Sequence, residues 1–162
     1  MEQKPKLTPW SRFRFWKCVN CGFCCRAYTV PLKLGETLRL TGKYGKVVFM
    51  VGGKFYLKKT DDKQKCIFLC YDKNGKPKCK IYSEKPQACT VYPFYIYNEP
   101  KNTDTVTAEF KFNRLKFYVY VDALCSGLYV VEGIPIVKAV EEAIKAWMLT
   151  EKTIQLFQTI HA

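Results

Sequence analysis

The sequence predicts an α+β fold in which small antiparallel hairpins carry cysteine-rich loops and a C-terminal helix packs on the sheet. Four thiols crowd into one eight-residue stretch, Cys18-Val19-Asn20-Cys21-Gly22-Phe23-Cys24-Cys25. Aromatic and β-branched runs punctuated by Gly, Pro and Asn fill the middle of the chain, the pattern of short strands and turns. A helical period of apolar residues sets in only after Gly133.

The elements follow in order. The opening Met1-Glu2-Gln3-Lys4-Pro5-Lys6-Leu7 has no apolar core of a secretion signal. No run approaches the roughly 18 apolar residues of a membrane span. Both observations predict a cytoplasmic protein without a membrane partner, whose thiols stay reduced. In the next segment Arg12, Arg14 and Trp16 alternate with Phe13 and Phe15. Alternation predicts a short strand over residues 10–17, with both phenylalanines in the core and the arginines in water. Arginine interleaved with aromatics also suits phosphate contact and base stacking, which makes Arg12, Arg14 and Lys17 candidate nucleic-acid contacts.

Residues 29–34 read as extended around Pro31, and a short helix covers 36–40 until Gly42 ends it. Residues 47–51 and 54–57 flank Gly52-Gly53, which predicts a hairpin closed by a two-glycine turn. These glycines lack the Gly-x-x-x-x-Gly-Lys context of a phosphate loop. A second hairpin pairs residues 65–70 with 78–82 around Asp72-Lys73-Asn74-Gly75, setting Cys66 and Cys79 on facing strands. Ser83 caps one helical turn running into Cys89, and Tyr92-Pro93-Phe94 breaks it. Residues 95–97 extend again, 98–104 form a polar loop, and 105–112 and 115–121 read as two aromatic-rich strands. Pro135 marks a helix start, after which Ile136, Val140, Ala143, Ile144 and Trp147 recur at helical spacing. The pattern resumes at Leu156, Phe157 and Ile160 after a break near Thr150. With no internal repeat, the expectation is a single domain over 1–162, comprising a cysteine-cluster region (10–128) and the helix (134–160).

The thiols carry the chemistry. Cys18, Cys21 and Cys24 recur at the two-residue spacing that lets a tight loop aim several sulfurs at one point, and Gly22 supplies the positive φ such a loop needs. Zinc sites and iron–sulfur clusters both use this spacing. Side chains of the adjacent pair Cys24-Cys25 diverge, so one of them serves a second centre or a bridge. Cys66, Cys70, Cys79, Cys89 and Cys125 fall near predicted turns and strand ends, where they are placed to complete a site. A disulfide framework and buried apolar cysteines are the competing explanations. An odd count of nine cysteines fits a fully paired disulfide set poorly.

Charge narrows the partner. The chain carries 27 Lys/Arg against 14 Asp/Glu, a net +13. Residues 1–120 hold 24 of the bases and 9 of the acids, leaving 3 and 5 for the remainder. Eight thiolates holding two zinc ions, or two cubane (4Fe–4S) clusters, would leave roughly +9. That excess favours an anionic partner. Solubility through scattered lysine explains it as well, since 22 of the 27 bases are Lys.

The cysteine pattern resembles the CxxCxxCC cysteine-cluster family, named for zinc or iron chelation. The resemblance runs through Cys18, Cys21, Cys24 and Cys25, then Cys66-Ile67-Phe68-Leu69, Cys79-Lys80-Ile81-Tyr82, Lys85-Pro86, Cys89, Tyr92-Pro93-Phe94 and Cys125-Ser126-Gly127. It covers roughly residues 18–128, and order, spacing and flanking residues all match. Lys85 stands where the family has arginine, and Cys70 lies outside the pattern. The resemblance implies Cys18, Cys21, Cys24, Cys25, Cys66, Cys79, Cys89 and Cys125 as metal ligands, with Cys70 a buried or unliganded thiol.

An all-thiolate set suits zinc or iron–sulfur and disfavours magnesium or calcium. His161, the sole histidine, sits beside the last residue. Three cysteines at two-residue spacing plus a distant fourth resemble ferredoxin ligation, which favours an iron–sulfur cluster over zinc. Three function classes compete. One is a metal-binding protein whose basic face docks on RNA or a ribonucleoprotein. Another is a redox or metal-handling protein whose cluster is the active group. The third is an enzyme or a component of a protein-methylation system, since related cysteine domains resemble part of a protein lysine methylase. No Gly-x-Gly-x-x-Gly fingerprint and no Ser/His/Asp or Cys/His pair supports catalysis, and no small-molecule substrate is indicated.

Overall fold

The computed structural model describes residues 3–101 and 104–160, the last eleven by their backbone only. In chain order the elements are β1 (Leu7–Pro9), β2 (Phe15–Trp16), α1 (Phe23–Ala27), β3 (Pro31–Leu32), α2 (Leu34–Tyr44), β4 (Val48–Val51), β5 (Lys54–Leu57), β6 (Leu69–Tyr71) and β7 (Pro77–Cys79). They continue with α3 (Gln87–Val91), β8 (Phe94–Tyr97), α4 (Thr105–Ala108), β9 (Glu109–Phe112), β10 (Leu115–Asp122), β11 (Ile134–Pro135) and α5 (Ile136–Ile160). This is a mixed α+β fold with small antiparallel sheets and a C-terminal helix packed on a sheet. The chain divides into two compact units, residues 1–4 with 20–89 and residues 5–19 with 90–162.

The second unit rests on a four-stranded antiparallel sheet. β10 pairs with β1, β8 and β9, with Val121 facing Phe94 and Leu115 facing Phe112. Asn113 and Arg114 close the β9–β10 hairpin in the left-handed region (φ 48° and 66°). Ile136, Ala139, Val140, Ala143 and Ile144 of α5 pack with Phe94, Ile96, Phe117, Val119 and Val121 of the sheet. The helical spacing read from the sequence is therefore the buried stripe, and the Trp147 ring meets Phe117 edge-on at 5.9 Å. The α5 backbone runs to Ile160 without the break expected near Thr150. The side chains of Leu156, Phe157 and Ile160, and all of Met1, Glu2 and His161, lie outside the described residues.

Two expectations in this unit are corrected. Residues 10–17 are not one strand. Trp10–Arg12 forms a 3₁₀ turn after Pro9, and only Phe15–Trp16 is extended, paired with β11. The residues that reach the core are Trp10, Phe13 and Trp16, spaced three apart. Their rings meet Phe110, Tyr129 and Phe94 edge-on at 5.2, 5.8 and 5.6 Å. Residues 105–108, expected as strand, form one helical turn. In a strand Val106 and Ala108 would share a face, yet Val106 is 83% exposed and Ala108 is fully buried.

The cysteine-rich unit is built from smaller pieces. β5 pairs with β3 and β4, and Val51 faces Lys54 across Gly52-Gly53. Both glycines have positive φ (56° and 75°), the conformation a two-residue hairpin turn demands. β6 and β7 form a second hairpin, turned where the Gly75 amide donates to the Asp72 carbonyl at 2.9 Å. The α2 helix exceeds its expected span of 36–40, running through Gly42 to Gly45 (φ 78°). Tertiary contacts draw out that last turn: the Tyr44 ring meets Phe68 at 5.2 Å and its hydroxyl bonds Glu84. Ser83 sits in a separate 3₁₀ turn, Tyr82–Glu84, and α3 begins anew after Pro86. The core here consists of Leu32, Leu40, Val47, Leu57, Cys66, Phe68, Leu69 and Ile81.

Candidate metal centre

The cysteine loop is shaped by its backbone. Asn20 and Gly22 take positive φ (52° and 69°) before α1 begins. A Cβ on Gly22 would lie 2.9 Å from Nη1 of Arg26 and 3.0 Å from Cβ of Pro77, so the positive φ favours glycine and Pro77 leaves little room for a side chain. Arg26 donates back to the Cys21 carbonyl at 3.0 Å, tying the loop to the helix. Cys21 stays exposed, whereas Cys24 and Cys25 are half-buried.

Distant segments are delivered to this loop by main-chain bonds. The Cys66 amide donates to the Cys25 carbonyl at 2.7 Å, placing a buried cysteine beside α1. Cys79 lies opposite Leu69 in the β6–β7 hairpin, not opposite Cys66. Cys66 instead precedes β6 and bridges Lys59. Cys89 rides on α3, where its amide donates to the carbonyl of fully buried Pro86 at 3.0 Å. Glu36, a residue the sequence reading passed over, holds that helix in place. Its carboxylate accepts from the Lys33 amide at 2.9 Å and the Gln87 amide at 2.7 Å, joining the starts of α2 and α3. The Glu three residues after the cap position was a readable signal, but lysine is an unusual cap.

Electrostatics show which thiols sense one another. The Cys25 thiol hydrogen-bonds Cys24 and lowers its pKa, while the same contact and burial push Cys25 up. Burial raises Cys66 and Cys79, and pushes Cys89 up to about 12. After burial, the next influences on Cys89 are the charges of Cys66, Cys24 and Cys79. Cys24, Cys25, Cys66, Cys79 and Cys89 therefore occupy one field, in which each ionisation opposes the next. Lys85, the departure from the family pattern, is a cation that eases ionisation of Cys24, Cys79 and Cys89. A cation of higher charge would do so more strongly, because coordinating thiols are deprotonated outright. The donor set fits zinc or an iron–sulfur cluster in kind, being all thiol. Among the described residues, no three His, Cys, Asp or Glu side chains converge tightly enough to form a closed metal site. All nine cysteines are thiols rather than disulfides.

Cys18 and Cys125 belong to the other unit. The Lys17 amide donates to the Gly127 carbonyl at 3.0 Å, which holds the exposed Cys18 segment beside the Cys125-Ser126-Gly127 turn. A Cβ on Gly127 would lie 2.2 Å from the Lys17 carbonyl oxygen, so that glycine permits the approach. Cys70 donates to the Lys78 carbonyl at 3.5 Å, and its charge bears weakly on Cys79. Two of the three candidate nucleic-acid contacts are engaged within the chain. Arg12 pairs with Asp104 at 2.9 Å, Arg14 lies over the Phe15 ring at 5.9 Å, and Lys17 is exposed.

A second residue that the sequence reading missed is Asp122, fully buried at the end of β10. It accepts from the amides of Lys6 and Leu124 and from the Tyr92 hydroxyl, which anchors the Tyr92-Pro93-Phe94 segment.

The chain is 33% identical over 127 residues to "Uncharacterized protein MJ0661" of Methanocaldococcus jannaschii, covering 73% of this chain and 60% of that protein. No solved structure matches. The family model described as "Putative zinc- or iron-chelating domain" matches residues 17–126, spanning the loop thiols, the buried Cys66, the α3 cysteine and the Cys125 turn, and the chain belongs to that family, CxxCxxCC.

Proposed function

We propose that this chain is a cytoplasmic cysteine-cluster metal protein in which thiolates hold an iron–sulfur cluster, or zinc, that organises the cysteine-rich unit. Cys24, Cys25, Cys66, Cys79 and Cys89 form the nucleus of the ligand set, and Cys18, Cys21 and Cys125 complete the candidates. The observation that carries this reading is the shared field of five half-buried or buried thiols, with Cys66 inside a small core and Cys25 and Cys79 packed against it. Without a metal Cys25, Cys66, Cys79 and Cys89 are held protonated, and only Cys24 is drawn down, to about 7. A bound metal converts the same burial into protection of thiolate bonds from water. The chain supplies the rest: α1 and α3 aim the sulfurs, and Lys85 balances part of their charge.

Anaerobic purification followed by an absorbance spectrum, metal analysis and acid-labile sulfide decides between the two metals. Broad visible absorption with sulfide marks a cluster, and zinc without colour marks a structural ion. Cys66→Ser should lower metal content in either case, and full metal content in that variant would remove Cys66 from the set. A cluster that cycles reversibly with dithionite favours the redox reading over the purely structural one. A second reading, an anionic partner such as RNA, is favoured by where the charge lies. Residues 20–89 carry 15 Lys/Arg against 5 Asp/Glu, a net +10 of the total +13.

A further inference from the structure

The cysteine-rich unit contains an open groove of about 1020 Å³ lined by Phe23, Arg26, Phe49, Lys58, Lys59 and Lys63. We propose that this groove is a binding site for single-stranded nucleic acid, a proposal that rests on the anionic-partner reading and assigns it a place. Its size slightly exceeds the roughly 300–1,000 Å³ of pockets built for drug-sized ligands, which suits a length of chain rather than one small molecule. Arg26, Lys58, Lys59 and Lys63 face only one acid among the lining residues, Asp61. None of the four is ion-paired among the described residues.

Two of the four cations are held by hydrogen bonds. Arg26 is fixed by its bond to the Cys21 carbonyl, and Lys59 reaches the Arg26 carbonyl at 3.5 Å. Lys58 and Lys59 continue from β5, and Lys63 takes a positive φ of 55° in the following turn. The aromatic component is Phe49, 36% exposed on the β4–β5 hairpin with Tyr56 stacked on it at 5.5 Å and 27°. Tyr56 keeps the Phe49 ring upright while leaving it accessible. Phe23 is similarly steadied by Tyr28, edge-on at 5.9 Å. A basic groove with aromatic platforms is the combination by which proteins track a single strand without reading its sequence. An acidic polypeptide would use the charges but leave the rings idle.

The test uses the full-length, metal-loaded protein and fluorescence anisotropy with labelled oligo(U) and oligo(dT) of about 12 nucleotides. The Lys58→Gln/Lys63→Gln double variant should bind at least tenfold more weakly at low salt. Its salt slope should fall by about 1.4, the value for two lost phosphate contacts on a single strand. Phe49→Ala should weaken binding about fivefold or more with an unchanged salt slope, and Phe49→Tyr should restore it. Equal metal content across variants confirms that the site, not the fold, has changed. Binding that ignores these changes but falls in Arg12→Ala/Arg14→Ala overturns the groove and leaves the anionic-partner reading standing. Absence of oligonucleotide binding at low salt overturns both. Competition by polyglutamate as effective as unlabelled oligo(U) at equal charge overturns the nucleic-acid assignment in favour of an acidic polypeptide.

Discussion

The two units solve the problem of stability differently. Residues 5–19 and 90–162 lay five apolar positions of one long helix across a four-stranded sheet, with three edge-on aromatic pairs at the margin. Residues 20–89 have only short helices and hairpins around a core that includes Cys66, with Cys25 and Cys79 packed against it. The first arrangement is held chiefly by apolar burial, with buried Asp122 pinning its strand ends. The second has the smaller core, eight buried residues against thirteen among the described residues, and a small core is the setting in which a metal adds most. Charge sharpens the contrast: +10 on residues 20–89 repels itself, whereas the other unit carries 11 bases against 8 acids.

The largest expected effect is therefore that of metal removal. A structural metal contributes on the order of 10 kcal/mol to folding, more than a unit this size retains without it. Chelation should collapse amide protection across residues 20–89 while β8, β10 and the start of α5 keep theirs. Hydrogen exchange followed by peptide reads this directly, and uniform loss across both units would erase the distinction. The reverse experiment strikes the other unit. Asp122→Ala leaves the Lys6 and Leu124 amides and the Tyr92 hydroxyl without their acceptor, a loss of about 3 kcal/mol or more. The melting temperature of that unit should drop while the metal equivalents per chain stay unchanged, and loss of metal would show that the two units are coupled.

A smaller effect comes from protons. Burial raises Cys66, and it pushes Cys89 up to about 12. For a thiol raised in the folded state, the neutral form stabilises the metal-depleted unit below the ordinary thiol value, and that contribution drains away as pH climbs toward the folded one. Metal binding reverses the dependence, since each thiol must surrender its proton. Affinity should then rise with pH by up to about 1.4 kcal/mol per released proton per pH unit. Calorimetry in buffers of different ionisation enthalpy counts those protons, and a count near zero would mean that the thiols are already ionised before metal arrives. The smallest effect is expected at Cys70, which hydrogen-bonds the Lys78 carbonyl in the β6–β7 hairpin. Cys70→Ala should leave metal stoichiometry unchanged, and loss of a metal equivalent would bring a ninth thiol into the ligand set.

What could be read from the sequence follows from range. Gly52-Gly53 fixes its hairpin because the turn conformation is a property of those two residues. The stripe from Ile136 to Trp147 declared itself because a long amphipathic helix repeats its signal. Residues 105–108 misled because Val106 and Ala108 are equally apolar, and only tertiary packing decides that one faces water. The cysteine order was legible and marked the family, yet the partnership of Cys66 with the Cys25 carbonyl depends on a main-chain bond across 41 positions. The division into two units was invisible for the same reason. It rests on Leu7 pairing with Asp122 and Phe15 with Pro135, registers that no local pattern encodes.

Those two pairings have a consequence for how the molecule is made. β1 and β2 precede residues 20–89 in the chain, whereas their partners β10 and β11 follow them. Residues 20–89, which form most of the other compact unit, are translated between them. Domains fold as units during synthesis at about 5–20 residues per second. The cysteine-rich unit thus gathers its thiols, and has seconds in which to acquire metal, while residues 5–19 still wait for the strands that will pair with them.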